Sequence, residues 1–125
     1  MPEPAPPVGL LLSDDLIFTS RVAGTARELG LLVKVARSAD ALEALARQQP
    51  PRCVLVDLAN PGLAIADLVR KLHDACPAAR VVAYGPHVDV AELRAAREAG
   101  CDPVLPRSAF VEQLPEQLPY WFGEA

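Results

Sequence analysis

The sequence predicts an α/β fold: one five-stranded parallel sheet between two layers of helices. Three observations predict it. Short, continuously apolar runs recur, most clearly Val8-Gly9-Leu10-Leu11-Leu12 and Cys53-Val54-Leu55-Val56, and such runs suit strands buried on both faces. Stretches with apolar residues at helical spacing lie between them. The two kinds of segment alternate five times, and that alternation implies a parallel sheet closed by right-handed crossovers. The 125 residues, 51% hydrophobic and 22% charged, make one globular domain. A chain of this length buries roughly two-thirds of its unfolded surface.

In chain order, residues 1–7 (Met-Pro-Glu-Pro-Ala-Pro-Pro) read as a Pro-rich extended leader, and 8–125 as the domain. The first strand, 8–12, stops at Ser13-Asp14-Asp15. Leu16, Ile17, Val22, Ala23, Ala26 and Leu29 recur at helical spacing over 16–29, and Gly30 stops that helix. A short strand covers 31–35. Ser38 is placed as the N-cap of a helix over 39–49, closed by Pro50-Pro51. The third strand runs from Cys53 to Asp57 and ends at the Pro61-Gly62 turn. A helix over 63–75 carries Ile65, Leu68, Val69 and Leu72 inward. Val81-Val82-Ala83-Tyr84 is the fourth strand, broken by Gly85-Pro86, and 89–99 is a helix with Gly100 as its C-cap. Pro103-Val104-Leu105 is a thin fifth strand. Ser108 can cap a last helix, which Pro115 and Pro119 should shorten or kink. Tyr120-Trp121-Phe122 should pack back on the domain, against the fourth helix or a second copy, because three exposed aromatics would form an apolar patch.

Several function classes find no support. A net charge of −4 argues against nucleic acid or an anionic membrane as partner. No apolar run approaches the 18 or so residues of a membrane span, and the N-terminus has neither the basic nor the apolar region of a signal peptide. The three cysteines form no Cys-x-x-Cys pair and read as reduced, small apolar residues of a cytoplasmic protein. No Gly-x-Gly-x-x-Gly follows the first strand and no Walker-type loop is present. His73 reads as a helix-surface residue.

The carboxyl edge of the sheet is where ligands bind in open α/β folds. Asp14, Asp15, Asp57, Gly85 and Arg107 should meet there. Asp57 is either a site residue or a loop cap; one of Asp14 and Asp15 suits an N-cap. Three carboxylates brought together repel unless a cation compensates them. Mg²⁺ takes one or two carboxylates with a carbonyl and waters, and a carboxylate beside it can attack a phosphoryl group.

Taken together, Leu-Leu-Ser-Asp-Asp, Val-Leu-Val-Asp-Leu-Ala-Asn-Pro-Gly and Ala-Gly-Cys-Asp-Pro-Val-Leu-Pro-Arg-Ser resemble the receiver domain of two-component response regulators, over residues 8–114. The resemblance implies the CheY-like, flavodoxin-like order 2-1-3-4-5. It implies that Asp57 matches the phosphoacceptor aspartate, that Asp14 and Asp15 match the acidic pair, and that the Ala59 carbonyl matches the third protein ligand of a weakly held Mg²⁺. Three positions depart from the pattern. Gly85 stands where receivers carry a Thr or Ser hydroxyl, Arg107 where they carry Lys, and Val104 where they carry the switch aromatic. Arg keeps the charge of Lys but not its shape or reach, and Arg107 is expected to pair with Asp57 when no phosphoryl group is present.

These departures point to a degenerate, stand-alone receiver-like module. It would not be an enzyme, and it would act in phosphorelay signalling by binding a histidine kinase, another signalling protein or a second copy of itself. A phosphoacceptor at Asp57, taking phosphoryl from a histidine kinase, is the alternative. A flavodoxin-like small-molecule binder is a third reading, against which Ser13-Asp14-Asp15 counts because it would repel a phosphate.

Overall fold

A computed structural model describes residues 7–123. Five strands, β1 (Val8–Leu12), β2 (Leu32–Ala36), β3 (Cys53–Asp57), β4 (Arg80–Gly85) and β5 (Val104–Pro106), alternate with five helices, α1 (Leu16–Glu28), α2 (Ala39–Gln48), α3 (Ile65–Ala75), α4 (Val90–Ala99) and α5 (Arg107–Trp121). All strand pairings are parallel, and the order is β2-β1-β3-β4-β5, as the sequence predicts. Most of the 1–7 leader lies outside the described residues. Pro7 lies within them, and its carbonyl accepts the Leu32 N–H at 3.1 Å.

Side-chain alternation along the strands divides the core in two. Leu10, Leu12, Val54, Val56 and Ala83 pack with Leu42, Leu68, Leu72 and Leu93 on the face covered by α2, α3 and α4. Leu11, Leu55, Val82 and Tyr84 pack with Phe18, Val22, Phe110 and Leu118 on the face covered by α1 and α5. Every residue of β1 and β3 is buried, which is why these two central strands read as unbroken apolar runs. Edge strand β2 is partly exposed instead, with Leu32, Lys34 and Val35 open to solvent and Val33 and Ala36 buried.

The helix ends follow local chemistry. Asp15 caps α1 by accepting the Phe18 N–H at 3.0 Å. Ser38 caps α2 by accepting the Ala41 N–H at 3.1 Å. Gly100 ends α4 at φ 106°, in the left-handed region that favours glycine.

Two expectations about the C-terminal helix need correction. Ser108 is not its cap: α5 starts at Arg107, and the cap position, Pro106, makes no side-chain hydrogen bond. The helix also continues through Pro115 and Pro119 to Trp121. Each interior proline costs about 3 kcal/mol. Phe110, Leu114, Leu118 and Trp121 lie on one face and are at most 3% exposed, and burying each contributes about 1.5–3 kcal/mol. The stripe outweighs the breakers. Trp121 and Phe122 do pack back on the domain, but into the α1/α5-side core and not against α4. Tyr120 stays 58% exposed.

Candidate functional site

The carboxyl ends of β1 and β3 bring Ser13, Asp15 and Asp57 to one edge, and the start of α5 adds Arg107. Asp57 is the last residue of β3 and is only 4% exposed. Its carboxylate is bonded by its own chain on both oxygens. The Ser13 hydroxyl donates to Oδ2 at 2.8 Å, and the Ala59 N–H donates to Oδ1 at 2.9 Å. Ser13 is itself held, since its Oγ accepts the Asp15 N–H at 3.2 Å and its N–H donates to the Ala36 carbonyl at 3.1 Å. A buried carboxylate needs such donors.

Arg107 does not reach Asp57 as expected. It donates to Asp15 Oδ2 at 2.8 Å, and its guanidinium lies 4.4 Å from the centroid of the Phe18 ring. Arg107 opens α5 and Phe18 lies in the first turn of α1, so the two helix starts fix a partner nearer than Asp57. The Phe18 N–H, and after it Arg107, hold the Asp15 carboxyl below the usual carboxylate range. Asp15 in turn raises the pKa of the Arg107 guanidinium. Asp14 is exposed, and its side chain makes no hydrogen bond or ion pair among the described residues.

This arrangement bears on how a divalent cation would be held. Among the described residues, no three His, Cys, Asp or Glu side chains come together as a metal site. The set that the resemblance implies is smaller, carboxylates from Asp14, Asp15 and Asp57 with the Ala59 carbonyl, and a Mg²⁺ needs only one or two carboxylates beside a carbonyl and waters. Arg107 on Asp15 and the neutral donors on Asp57 already offset part of the charge that a Mg²⁺ would otherwise compensate.

The three departing positions are now concrete. Gly85 ends β4 and is buried; a Cβ there would stand 3.2 Å from Leu58 Cβ and 3.5 Å from its Cδ1. Leu58 crowds this position, so a side chain there would need Leu58 to give by a few tenths of an ångström. Val104 is 8% exposed and packs in the core on the α2–α4 side.

Two residues of the site escaped the sequence reading. Ser13 was passed over as the edge of the acidic pair. Tyr84 was taken as an ordinary strand residue. Its Cα pairs with that of Asp57 across the β3–β4 ladder, and its side chain is fully buried, stacked on Phe110 at 4.3 Å between ring centroids. Its hydroxyl makes no hydrogen bond of ordinary length and geometry among the described residues, although the Ser13 hydroxyl is near enough to pull the phenol's pKa down in part. Burial first, and the Asp57 charge second, push its phenol far above the ordinary value. The strand register was the available signal, because residues paired across neighbouring strands point to the same face.

Comparison with known proteins adds the fold's relatives. No protein-family model matches the sequence, and no curated protein matches it. Solved structures do. A Burkholderia pseudomallei response regulator, solved with a phosphorylated aspartic acid, a calcium ion and citrate, is 24% identical, with 94% of this chain covering 69% of that one at TM-score 0.78. The beryllofluoride-activated NtrC4 receiver domain dimer is 18% identical, with coverage of 94% and 97% and TM-score 0.81. A chain of the Saccharomyces cerevisiae complex of the histidine phosphotransfer protein Ypd1 with the Ssk1 receiver domain is 16% identical, with coverage of 95% and 90% and TM-score 0.77.

The fold is the receiver fold. At these identities the likeness extends to architecture, and the site must be judged on its own residues. The carboxyl edge of the sheet carries Asp57 at the end of β3. Two of the edge's carboxylates are engaged, Asp57 by Ser13 and Ala59 and Asp15 by Phe18 and Arg107, while Asp14 has no such partner among the described residues. The three cysteines play no part: they are free and buried, and burial pushes the Cys53 thiol up to about 12 and the Cys101 thiol to about 11, so neither is a thiolate at neutral pH. No helix among the described residues is long and apolar enough to cross a membrane.

Proposed function

We propose that this chain is an atypical receiver-type module of two-component phosphorelay signalling. It works by binding a partner protein rather than by catalysing a reaction, and phosphoryl transfer to Asp57 does not set its state. One observation carries this reading: both oxygens of Asp57 already accept hydrogen bonds, at 2.8 Å from Ser13 and 2.9 Å from Ala59. The charged group that would attract a phosphoryl donor is meanwhile held by Asp15. Hydrogen bonds to both oxygens lower the nucleophilicity of the Asp57 carboxylate, and Arg107 is bonded to Asp15 rather than to it.

A signalling protein is the partner class this reading favours, with a histidine kinase or phosphotransfer protein first and a second copy of the chain next. Likeness to the Ypd1–Ssk1 complex and to the NtrC4 receiver dimer supports both. So do the exposed apolar side chains of Leu16, Ile17, Val88 and Val90 in the loops and helix starts of the Asp57 edge. Such partners imply a cytoplasmic setting.

The alternative, a working phosphoacceptor, has one observation in its favour. Tyr84 leaves a hydroxyl with no ordinary hydrogen bond on the Asp57 side of the sheet, a donor that an added phosphoryl group could use. Incubation with a small phosphodonor and Mg²⁺, followed by intact-mass measurement, separates the two. The proposal expects the mass of the unmodified chain. An adduct of one phosphoryl group, absent from an Asp57→Asn variant, would favour the alternative.

A further inference from the structure

The sheet's opposite edge holds a feature that the Asp57 site does not explain. At the amino ends of β3 and β4, α3 and the last turn of α5 enclose an open cleft of about 880 Å³, within the size range of small-molecule sites. Its walls have a definite character. Arg52, Arg70 and Arg80 line it, and among the described residues Asp102 is the only carboxylate that does so, on a chain whose net charge is −4. Leu72, Val81 and Trp121 supply apolar wall, and Tyr120, 58% exposed, stands at its rim.

The arginines could instead serve the helix C-termini, which carry partial negative charge at this edge and attract cations. Their bonding says otherwise. None of the three donates to a carbonyl of α3, α4 or α5. Arg80 donates through Nη1 to the Asp102 loop carbonyl at 3.1 Å and lies 5.8 Å from the Tyr120 ring centroid. That leaves most of its planar donor fork free and held in place. Arg70 pairs with Asp67 on the exposed face of α3. Arg52 makes no side-chain hydrogen bond or ion pair among the described residues. A guanidinium held over one face of an aromatic ring that is otherwise exposed leaves donors and ring surface for a planar ligand that carries an anionic group.

We propose that this cleft binds a small aromatic anion, a planar ring bearing a carboxylate, sulfonate or phosphate. The ring lies against Tyr120 and the Leu72–Val81 wall, and the anionic group meets Arg80 and Arg52. This site is independent of what happens at Asp57.

Trp121, the chain's single tryptophan, lines the cleft and reports on it directly. The probe is anilinonaphthalene sulfonate, an aromatic sulfonate, titrated into the folded full chain while energy transfer from Trp121 is followed. Its uncharged parent, phenylnaphthylamine, is titrated in parallel. The expected result is saturable transfer with one sulfonate bound, and affinity weaker by about tenfold or more both for the uncharged analogue and for the sulfonate with Arg52→Glu, since a charged partner is lost in each case. Arg52 has no side-chain bond to break, so this variant should keep its thermal midpoint; Arg80→Gln is the second variant and should weaken binding similarly. Absence of saturable transfer in the parent chain, whatever else covers the cleft, overturns the proposal. So does equal affinity for the uncharged analogue, or unchanged sulfonate affinity in both arginine variants.

Discussion

Replacing Gly85 by alanine tests the steric reason for the missing switch hydroxyl. The backbone φ of Gly85 lies outside the left-handed region, so an L residue there is not strained. The substitution should even gain about 0.4–1 kcal/mol by restricting the unfolded chain. Against this, the new Cβ meets Leu58 Cβ at 3.2 Å and Cδ1 at 3.5 Å. Leu58 is 6% exposed and packed in the α2–α4-side core. Overpacking a well-filled core typically costs about 1–3 kcal/mol. The balance is a loss of about 0–2.6 kcal/mol, centred near 1 kcal/mol, with roughly 4 °C in thermal midpoint per kcal/mol at this chain length. Urea unfolding with an unchanged m-value would measure it. Leu58→Ala should relieve only part of the clash, because the nearest atom is Leu58 Cβ itself, so a double-mutant cycle should show a modest favourable coupling. If Gly85→Ala proved more stable than the parent, Leu58 would not be what excludes a side chain from this position.

Three further outcomes follow from the same site. Tyr84→Phe removes a buried hydroxyl that makes no hydrogen bond of ordinary length and geometry, so chemical denaturation should find the variant unchanged or more stable by up to about 1 kcal/mol; a loss of that size would reveal a hydrogen bond at the phenol. Ser13→Ala takes away the 2.8 Å bond to Asp57 and leaves a buried carboxylate oxygen unsatisfied, at a cost of about 1–3 kcal/mol at neutral pH; equal midpoints for variant and parent would contradict the role given to Ser13. Asp15 has a carboxyl held below its ordinary value by the Phe18 N–H and Arg107, so its charge adds stability above the unfolded-state value near 4, and that contribution is lost as pH falls through the lower folded-state value. Asp15→Asn, which keeps a capping oxygen, should therefore be less stable than the parent at neutral pH, with the gap closing in acid; a gap that persisted or widened at low pH would put the interaction elsewhere.

The sequence was informative where local chemistry decides the outcome. The unbroken apolar runs of β1 and β3 identified strands buried on both faces, and the strand–helix alternation then left one topology. The Ser38 cap and the Gly100 stop needed only their own residues and the next few. It misled where packing at a distance overrides local preference. Pro115 and Pro119 are helix breakers by themselves, and only the buried stripe from Phe110 to Trp121 carries α5 through them. Arg107 was legible as a charge at the site edge. Its choice of Asp15 over Asp57 depends on where α1 and α5 begin relative to each other, which spacing along the chain does not encode. Tyr84 was hidden for a similar reason: Gly85 marks the position that departs from the receiver pattern, while the group that faces Asp57 is its neighbour, set by cross-strand register.

The central claim is that the receiver fold persists here without a phosphoryl-driven switch. A ligand shifts a two-state equilibrium only through contacts that differ between the states. With Gly85 crowded by Leu58, Val104 packed in the core and Arg107 bonded to Asp15, few such contacts remain. Amide NMR spectra recorded with and without beryllofluoride and Mg²⁺ address this most directly. The account predicts resonances of Val104, Ala109 and residues 92–98 that stay where they are. Large, saturable shifts along that face, abolished by Asp57→Asn, would contradict it.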